Sequence, residues 1–340
     1  MDYQYIATYA ENGSLADLTP FVENGTIHTE DMDGQVLESG VIQGKLCGIA
    51  LTTAVIAMVY NPEAFDRAQI QYPQPGWTWD DFEEICLQFM ERTGEYGIQM
   101  TPLLDMNLFH YWVRQQGEEL FSADQSALGY SDDSVYVGYV TLFKSLIDAG
   151  AIPSSDEWAA INVQGQEKLP VVTGACGMMP EWSNFAVKVG NANDNLKLVP
   201  LPSAVASAGE NRKPGMFFSI AEISDVKEEC ARFLDWFLNS EEANDILKGE
   251  RGIPVSGKNR ERLLQDESLP KSQREMFQYV DGVMPLCGAM PPPEPAGMEA
   301  LNEIFAETAN KCFYGVQTPD ESAAEFRRRA EEVLSAVKNE

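Results

Sequence analysis

The sequence predicts a mixed α/β protein of two domains, and three observations carry that prediction. Short apolar segments alternate along the chain with longer segments of helical period, as in sheets covered by helices. At 340 residues and 44% hydrophobic content, the chain suits two ordinary cores better than one. No internal repeat or low-complexity segment interrupts the alternation.

The helices are marked at their ends. In TWDDFEEICLQFMER, Thr78 and Asp81 have the capping-box spacing, and Phe82, Ile85, Cys86, Phe89 and Met90 follow on one face. SDDSVYVGYVTLFKSLIDAG repeats the plan, with Val135, Tyr139, Leu142, Phe143 and Leu146 inward and Gly150 as the stop. SDVKEECARFLDWFLNS puts Val226, Cys230, Phe233, Leu234 and Phe237 on one stripe. The last helix opens on Thr318, Pro319 and Glu321, with Phe326, Ala330, Val333, Leu334 and Val337 as its buried face.

The strands expected between them are 45–51, 54–60, 96–100, 175–179, 196–201 and 217–223. Their alternation with helices predicts mainly parallel pairing. MPPPEPAG, 290–297, reads as a rigid connection between packed elements.

Charge narrows the function classes. Lys and Arg number 24 against 53 Asp and Glu, a formal net charge of −29, so nucleic acid and anionic lipid are repelled as non-specific partners. The six cysteines are scattered without a CxxC, and His28 and His110 stand far apart, so neither a metal site nor a cofactor is expected. Most of the cysteines read as small buried hydrophobes. No apolar run has membrane-spanning length, and no signal-peptide pattern precedes Asp2.

No catalytic constellation stands out: GxSxG, GxxxxGK[ST] and GxGxxG are all missing. Glu181 is the best single carboxylate for hydrolysis, but an acid so placed more often binds a hydroxyl or is solvated. The expectation is a binding protein and not an enzyme. GACGMMPEWSN, 174–184, is the most suggestive stretch. Pro180 is expected to end its strand, leaving Glu181 and Trp182 beyond a strand terminus, where open α/β sheets bind ligands, and Ser183 and Asn184 as a helix cap. An indole beside polar groups suits a sugar, its face taking C–H groups while the neighbours take hydroxyls. A tryptophan plugging the lobe surface is the other reading.

AVIAMVYNPEAFDRA followed by PGWTWDDFEEICLQF resembles a segment of the family 1 bacterial extracellular solute-binding proteins of ABC importers, the carbohydrate-binding group that includes maltose-binding protein. NGSLADLTPFV, QGKLCGIAL, GACGMMPEWSN, and SDVKEECARFLDWFLNSEEANDIL followed by RGIPVS resemble further family motifs in the family's order. The resemblance implies a two-lobed periplasmic-binding-protein-like fold of type II, with a hinge and a ligand cleft between lobes. Lobe one would take 1–56 and 214–280, and lobe two 57–213 and 281–340. Family members begin with a signal, often a lipidated cysteine, and then a strand-helix-strand unit. This chain resembles them from the turn after that unit, so an incomplete lobe one with exposed apolar surface and open strand edges is expected.

The implied function is a monomeric receptor that binds a sugar or oligosaccharide outside the cell, at its surface or in the periplasm, and delivers it to permease subunits. The alternatives are the same fold binding a glycerophosphodiester, peptide or polyamine, and a carboxylate-dependent glycoside hydrolase. Carried over by position, Trp182 resembles the sugar platform, flanked by Glu181 and Asn184. Asp2, Tyr3 and Tyr5 resemble the first-lobe turn facing the ligand; Tyr3 and Tyr5 share a side if extended, and a core role for one of them is equally open. Thr52 and Thr53 offer hydroxyls at the hinge, Asn107, His110 and Tyr111 resemble the rim of lobe two, and Met216 and Phe217 the return crossing. Arg251, in GERGIPVS, either grips a ligand carboxylate or caps a helix end.

Overall fold

A computed structural model describes residues 1–99, 106–203, 212–288, 294–295 and 297–338. The expected connection 290–297 lies largely outside these residues, as do Met100 and the side chain of Val337. The chain divides into two compact units. Met1–Val55, Trp182–Lys188 and Asn211–Ala296 make the first, and Ile56–Glu181, Val189–Glu210 and Gly297–Glu340 the second. The short run from Trp182 to Lys188 therefore groups apart from the residues on either side of it.

The strands are β1 Val41–Ile42, β2 Lys45–Leu46, β3 Ile49–Ala50, β4 Thr52–Tyr60, β5 Tyr96–Ile98, β6 Cys176–Trp182, β7 Lys197–Val199, β8 Arg212–Pro214, β9 Phe217–Phe218 and β10 Ile253–Pro254. All nine residues of β4 are buried, which explains its unbroken TTAVIAMVY run: a strand covered on both faces needs no polar alternation. Its first half belongs to the first unit, where Thr53 lies opposite both Ile253 of β10 and Pro214 of β8. Its second half pairs with β7 in the second unit.

Pairing is mostly antiparallel, contrary to the expectation. β4 runs antiparallel to β7, β8 and β10, and β3 to β9. The N–H of Asn61 donates to Gly177 O at 3.0 Å and that of Ser183 to Val55 O at 2.9 Å, so β6 also runs antiparallel to β4. Only β5 with β6 is parallel among the described ladders. Alternating strands and helices enforce parallel pairing only when consecutive strands are neighbours, and here four return strands converge on β4.

In the first unit, Tyr3–Glu11 is a helix, not an extended segment, and it buries Tyr3, Ile6 and Ala7. Ile49, Leu18, Ile27, Leu234 and Leu238 complete the same core. The helix Lys227–Asn239 turns Ala231, Leu234 and Leu238 inward. Phe233 and Val226, expected inside, are 51% and 53% exposed. The sequence carries two overlapping apolar stripes here, and the core takes the one with smaller side chains.

The second unit is built around aromatic rings. The helix Trp79–Thr93 has its capping box, with Thr78 and Asp81 bonded reciprocally, and buries Trp79, Phe82, Cys86 and Phe89. The helix Ser134–Asp148 ends ahead of Gly150, whose φ is +70°. It buries Tyr136 and Val140 with Tyr139, Phe143 and Leu146, while Val135 and Leu142 are half-buried, so its face is rotated slightly from the expected one. The helix Pro319–Lys338 has the expected Thr318–Glu321 box and buries Phe326, Ala330 and Leu334. All six cysteines are free thiols, with Cys47, Cys86, Cys176 and Cys312 buried.

Glu325 ties the last two helices together. It accepts from Lys311 Nζ at 2.8 Å and from Gln317 Nε2 at 2.7 Å. Those bonds, with Arg329 beside them, outweigh the effect of burial and hold its pKa down at about 2. A carboxylate depressed in the folded state stabilises it fully above the ordinary glutamate range and ceases to do so as pH falls through the depressed value. The stability of the wild type over Glu325→Gln is therefore expected to be full above about pH 4.5 and to vanish near pH 2. Urea midpoints of both proteins across that range measure it. Comparing the pair removes the general relief of negative self-repulsion on acidification.

Candidate functional site

β6 does not stop at Pro180; it continues to Trp182. Gly177 and Ser183 bond to β4, so odd-numbered residues of β6 face that neighbour. The missing N–H of Pro180 falls on the opposite edge, where it breaks no bond to β4. Ser183, fully buried, stays with the sheet: its N–H donates to Val55 O, and its Oγ accepts from Val55 N–H at 3.4 Å. Asn184 opens the helix Phe185–Lys188, its carbonyl accepting the Lys188 N–H.

Trp182 is half-buried, and the ammonium of Lys213 sits 4.1 Å from its ring centroid. Lys213 lies on β8 opposite Ala54, and β6 meets β4 at Val55, so the two side chains approach from strands flanking β4. Across a residue as small as Ala54, a lysine stem can reach the ring. Such a cation over an indole gains roughly 0.5–2 kcal/mol, more as water is excluded. Among the described residues no carboxylate lies within 4.0 Å of the Lys213 ammonium. The adjacent Arg212 is engaged elsewhere: 7% exposed, it donates to Asp33 Oδ2 at 2.6 Å and to Gln35 Oε1 at 2.8 Å. Burial opposes ionisation of Asp33, yet the Arg212 bond and the Gln35 N–H together hold its carboxyl below the usual range.

Thr52 and Thr53 are buried in β4. Thr52 Oγ1 donates to Arg251 O at 2.8 Å, and the Gly215 N–H donates to Thr52 O at 2.6 Å. A Cβ on Gly215 would collide with Thr52 Oγ1, and one on Gly252, whose φ is +118°, would lie 2.9 Å from Thr53 O. The Thr52 hydroxyl is therefore a structural tie, and Thr53, next to Ala54, points to the face opposite Lys213. The Arg251 side chain is exposed, and among the described residues no carboxylate lies within 4.0 Å of it.

The other first-unit candidates are placed as follows. Tyr3 is 3% and Phe217 1% exposed, and their rings stack at 6.1 Å in the core. Burial, with Glu294 nearby, raises the Tyr3 phenol well above its ordinary range. Asp2 and Tyr5 are exposed, as is Met216. Tyr3 and Tyr5 do not share a side, because they lie on a helix. In the second unit, Asn107 and Tyr111 fall within the helix Asn107–Gln115. Tyr111 is 1% exposed and donates to the carbonyls of Leu201 and Pro202. His110 faces Glu119 at 3.6 Å, with Arg114 on the same carboxylate; the His110 bond is the first cause of its lowered pKa. Glu181 is half-buried beside Trp182 in sequence.

The residue that sequence reasoning passed over is Lys213. Nothing in RKPGMFF distinguishes it; only strand pairing brings it to Trp182. No group of three or more His, Cys, Asp or Glu among the described residues is placed to hold a metal ion. None of the described helices is long and apolar enough to cross a membrane.

This fold is that of the periplasmic solute-binding proteins. A periplasmic oligogalacturonide binding protein from Yersinia enterocolitica, solved with saturated digalacturonic acid, aligns with TM-score 0.84 and 19% identity over 99% of this chain and 84% of its own. A family 1 extracellular solute-binding protein from Alicyclobacillus acidocaldarius aligns with TM-score 0.76 and 27% identity, covering 98% and 83%. In sequence, a putative binding protein of Brucella abortus is 23% identical over 357 aligned positions, 97% of this chain and 82% of its own. Residues 1–244 match the family described as bacterial extracellular solute-binding protein, and the chain belongs to that family.

Proposed function

We propose that this protein is the receptor component of an ABC importer, a monomer that binds a sugar or oligosaccharide outside the cytoplasmic membrane, at the cell surface or in the periplasm, and hands it to membrane permease subunits. The observation that carries this reading is the family match over residues 1–244. The saccharide bound by the Yersinia relative supports a carbohydrate ligand, and the indole of Trp182 at the end of β6 is the natural anchor for one. Asp2, Tyr5, Glu181, Asn107 and Arg251 are the other candidates with accessible side chains. The receptor performs no covalent chemistry; Glu181 binds and does not hydrolyse.

A ligand that binds only the folded state raises apparent stability by mass action, by about 2.7 kcal/mol at a hundred times its Kd. Thermal unfolding against mono- and oligosaccharides, uronic acids and glycerophosphodiesters is expected to single out saccharides. Trp182→Ala is expected to abolish the shift. A saccharide shift that survives in Trp182→Ala would remove Trp182 from the site, and a shift with glycerophosphodiesters alone would favour the non-sugar reading.

A further inference from the structure

We infer that the solute carries a carboxylate and that Lys213, held against the indole of Trp182, receives it; the ligand class is acidic saccharides, uronic acids and their oligomers. The inference rests on the saccharide-receptor reading and sharpens it.

In a chain of net charge −29 acids outnumber bases by more than two to one, yet no carboxylate among the described residues lies within 4.0 Å of the Lys213 ammonium. A ring face attracts the cation but accepts no full hydrogen bond, so an ammonium with three donors keeps the capacity to bind an anion. The indole fixes the end of a flexible four-carbon stem, lowering the entropy that a lysine loses on gripping a ligand. The side of the ring that Lys213 covers offers a cation where a neutral sugar would need a bare apolar face.

Thr53 lies opposite Pro214 on one edge and Ile253 on the other. Arg251, two residues before Ile253, is exposed, and its carbonyl is tied to Thr52. Arg212, next to Lys213 in sequence, is engaged by Asp33, which leaves Lys213 and the exposed Arg251 as cations with no carboxylate within 4.0 Å among the described residues. A uronate carboxylate brings Lys213 a counter-charge that a neutral sugar lacks.

The test is calorimetric titration with digalacturonate and with the neutral disaccharides maltose and lactose, on wild type, Lys213→Met and Lys213→Arg. Wild type is expected to bind digalacturonate in preference to the neutral sugars, with an affinity that falls as NaCl rises. Lys213→Met is expected to weaken digalacturonate binding by about 100-fold, and Lys213→Arg to restore it to within about tenfold. A cross-strand tie of purely structural value would alter neither charge selectivity nor salt dependence. If Lys213→Met does not fold, the salt titration of wild type and the Lys213→Arg result decide the question. Tight binding of neutral disaccharides in preference to digalacturonate, or salt-independent digalacturonate binding, overturns the role of Lys213 while leaving a sugar receptor. If no saccharide of either kind binds, the saccharide reading itself falls and this inference falls with it.

Discussion

Phe109→Ala is expected to destabilise the second unit by about 3–5 kcal/mol, the range for deleting a fully buried aromatic ring. Phe109 is fully buried, and its ring stacks on Phe305 at 5.2 Å. It meets Tyr130, Tyr136, Tyr139 and Phe326 edge-on at 5.9, 5.6, 5.2 and 6.2 Å. Those partners come from the helices Ser134–Asp148, Met298–Phe313 and Pro319–Lys338 and, for Tyr130, the loop before the first of these. Collapse into the space would have to move several elements at once, so the cavity persists and the cost sits high in the range. It would also loosen a buried polar knot, in which Tyr136 Oη meets Thr308 Oγ1 at 3.1 Å and Ser322 Oγ at 3.0 Å. A urea titration followed by far-ultraviolet circular dichroism measures the loss. A change below about 1 kcal/mol would contradict this packing.

Gly97→Ala is expected to cost about 3 kcal/mol, the upper end for forced overpacking. Gly97 lies at the centre of β5 against the helix Trp79–Thr93, where an added Cβ would collide with the Cys86 Cα and stand 2.9 Å from its Cβ. The obstacle is helix backbone, which cannot rotate away as a side chain can. The neighbouring strand leaves no slack either: a Cβ on Gly177 would lie 2.5 Å from the ring of Phe89. Parallel strands β5 and β6 therefore lie flush on this helix because both carry glycine at the contact. Thermal unfolding of Gly97→Ala should show the drop. An unchanged midpoint would mean that helix and strand can separate freely.

The helices were largely legible because their ends are chemical. Thr78 with Asp81, Thr318 with Glu321, and Gly150 after its helix are local signals, and local geometry honours them. The helix Tyr3–Glu11 escapes the sequence reading, which places Asp2, Tyr3 and Tyr5 at a turn by resemblance, although Tyr3, Ile6 and Ala7 have helical spacing. Which of two stripes turns inward is not a local matter. The helix Lys227–Asn239 offers aromatics on one and Ala231, Leu234 and Leu238 on the other, and only the tertiary environment chooses.

Strand direction and the site were harder for the same reason. Pro180 is a strand breaker by composition, but it is harmless on the edge of β6 that does not bond β4, and that edge is defined by a partner more than 100 residues away. Tyr3, Tyr111 and Phe217 have the composition of ligand platforms and the burial of core residues. Trp182 stands out in the sequence by its setting, but the group on its face does not, because Lys213 reaches it through the pairing of β8 with β4. Trp182 thereby changes character, from a bare apolar platform to the seat of a positive charge.

The chain is proposed to bind a saccharide reversibly without transforming it. Isothermal titration with the saccharides that raise its unfolding temperature, followed by chromatography of the recovered ligand, tests that claim most directly. Saturable one-to-one binding and a ligand recovered unchanged are the expected result. Hydrolysed product that disappears in Glu181→Gln would contradict it.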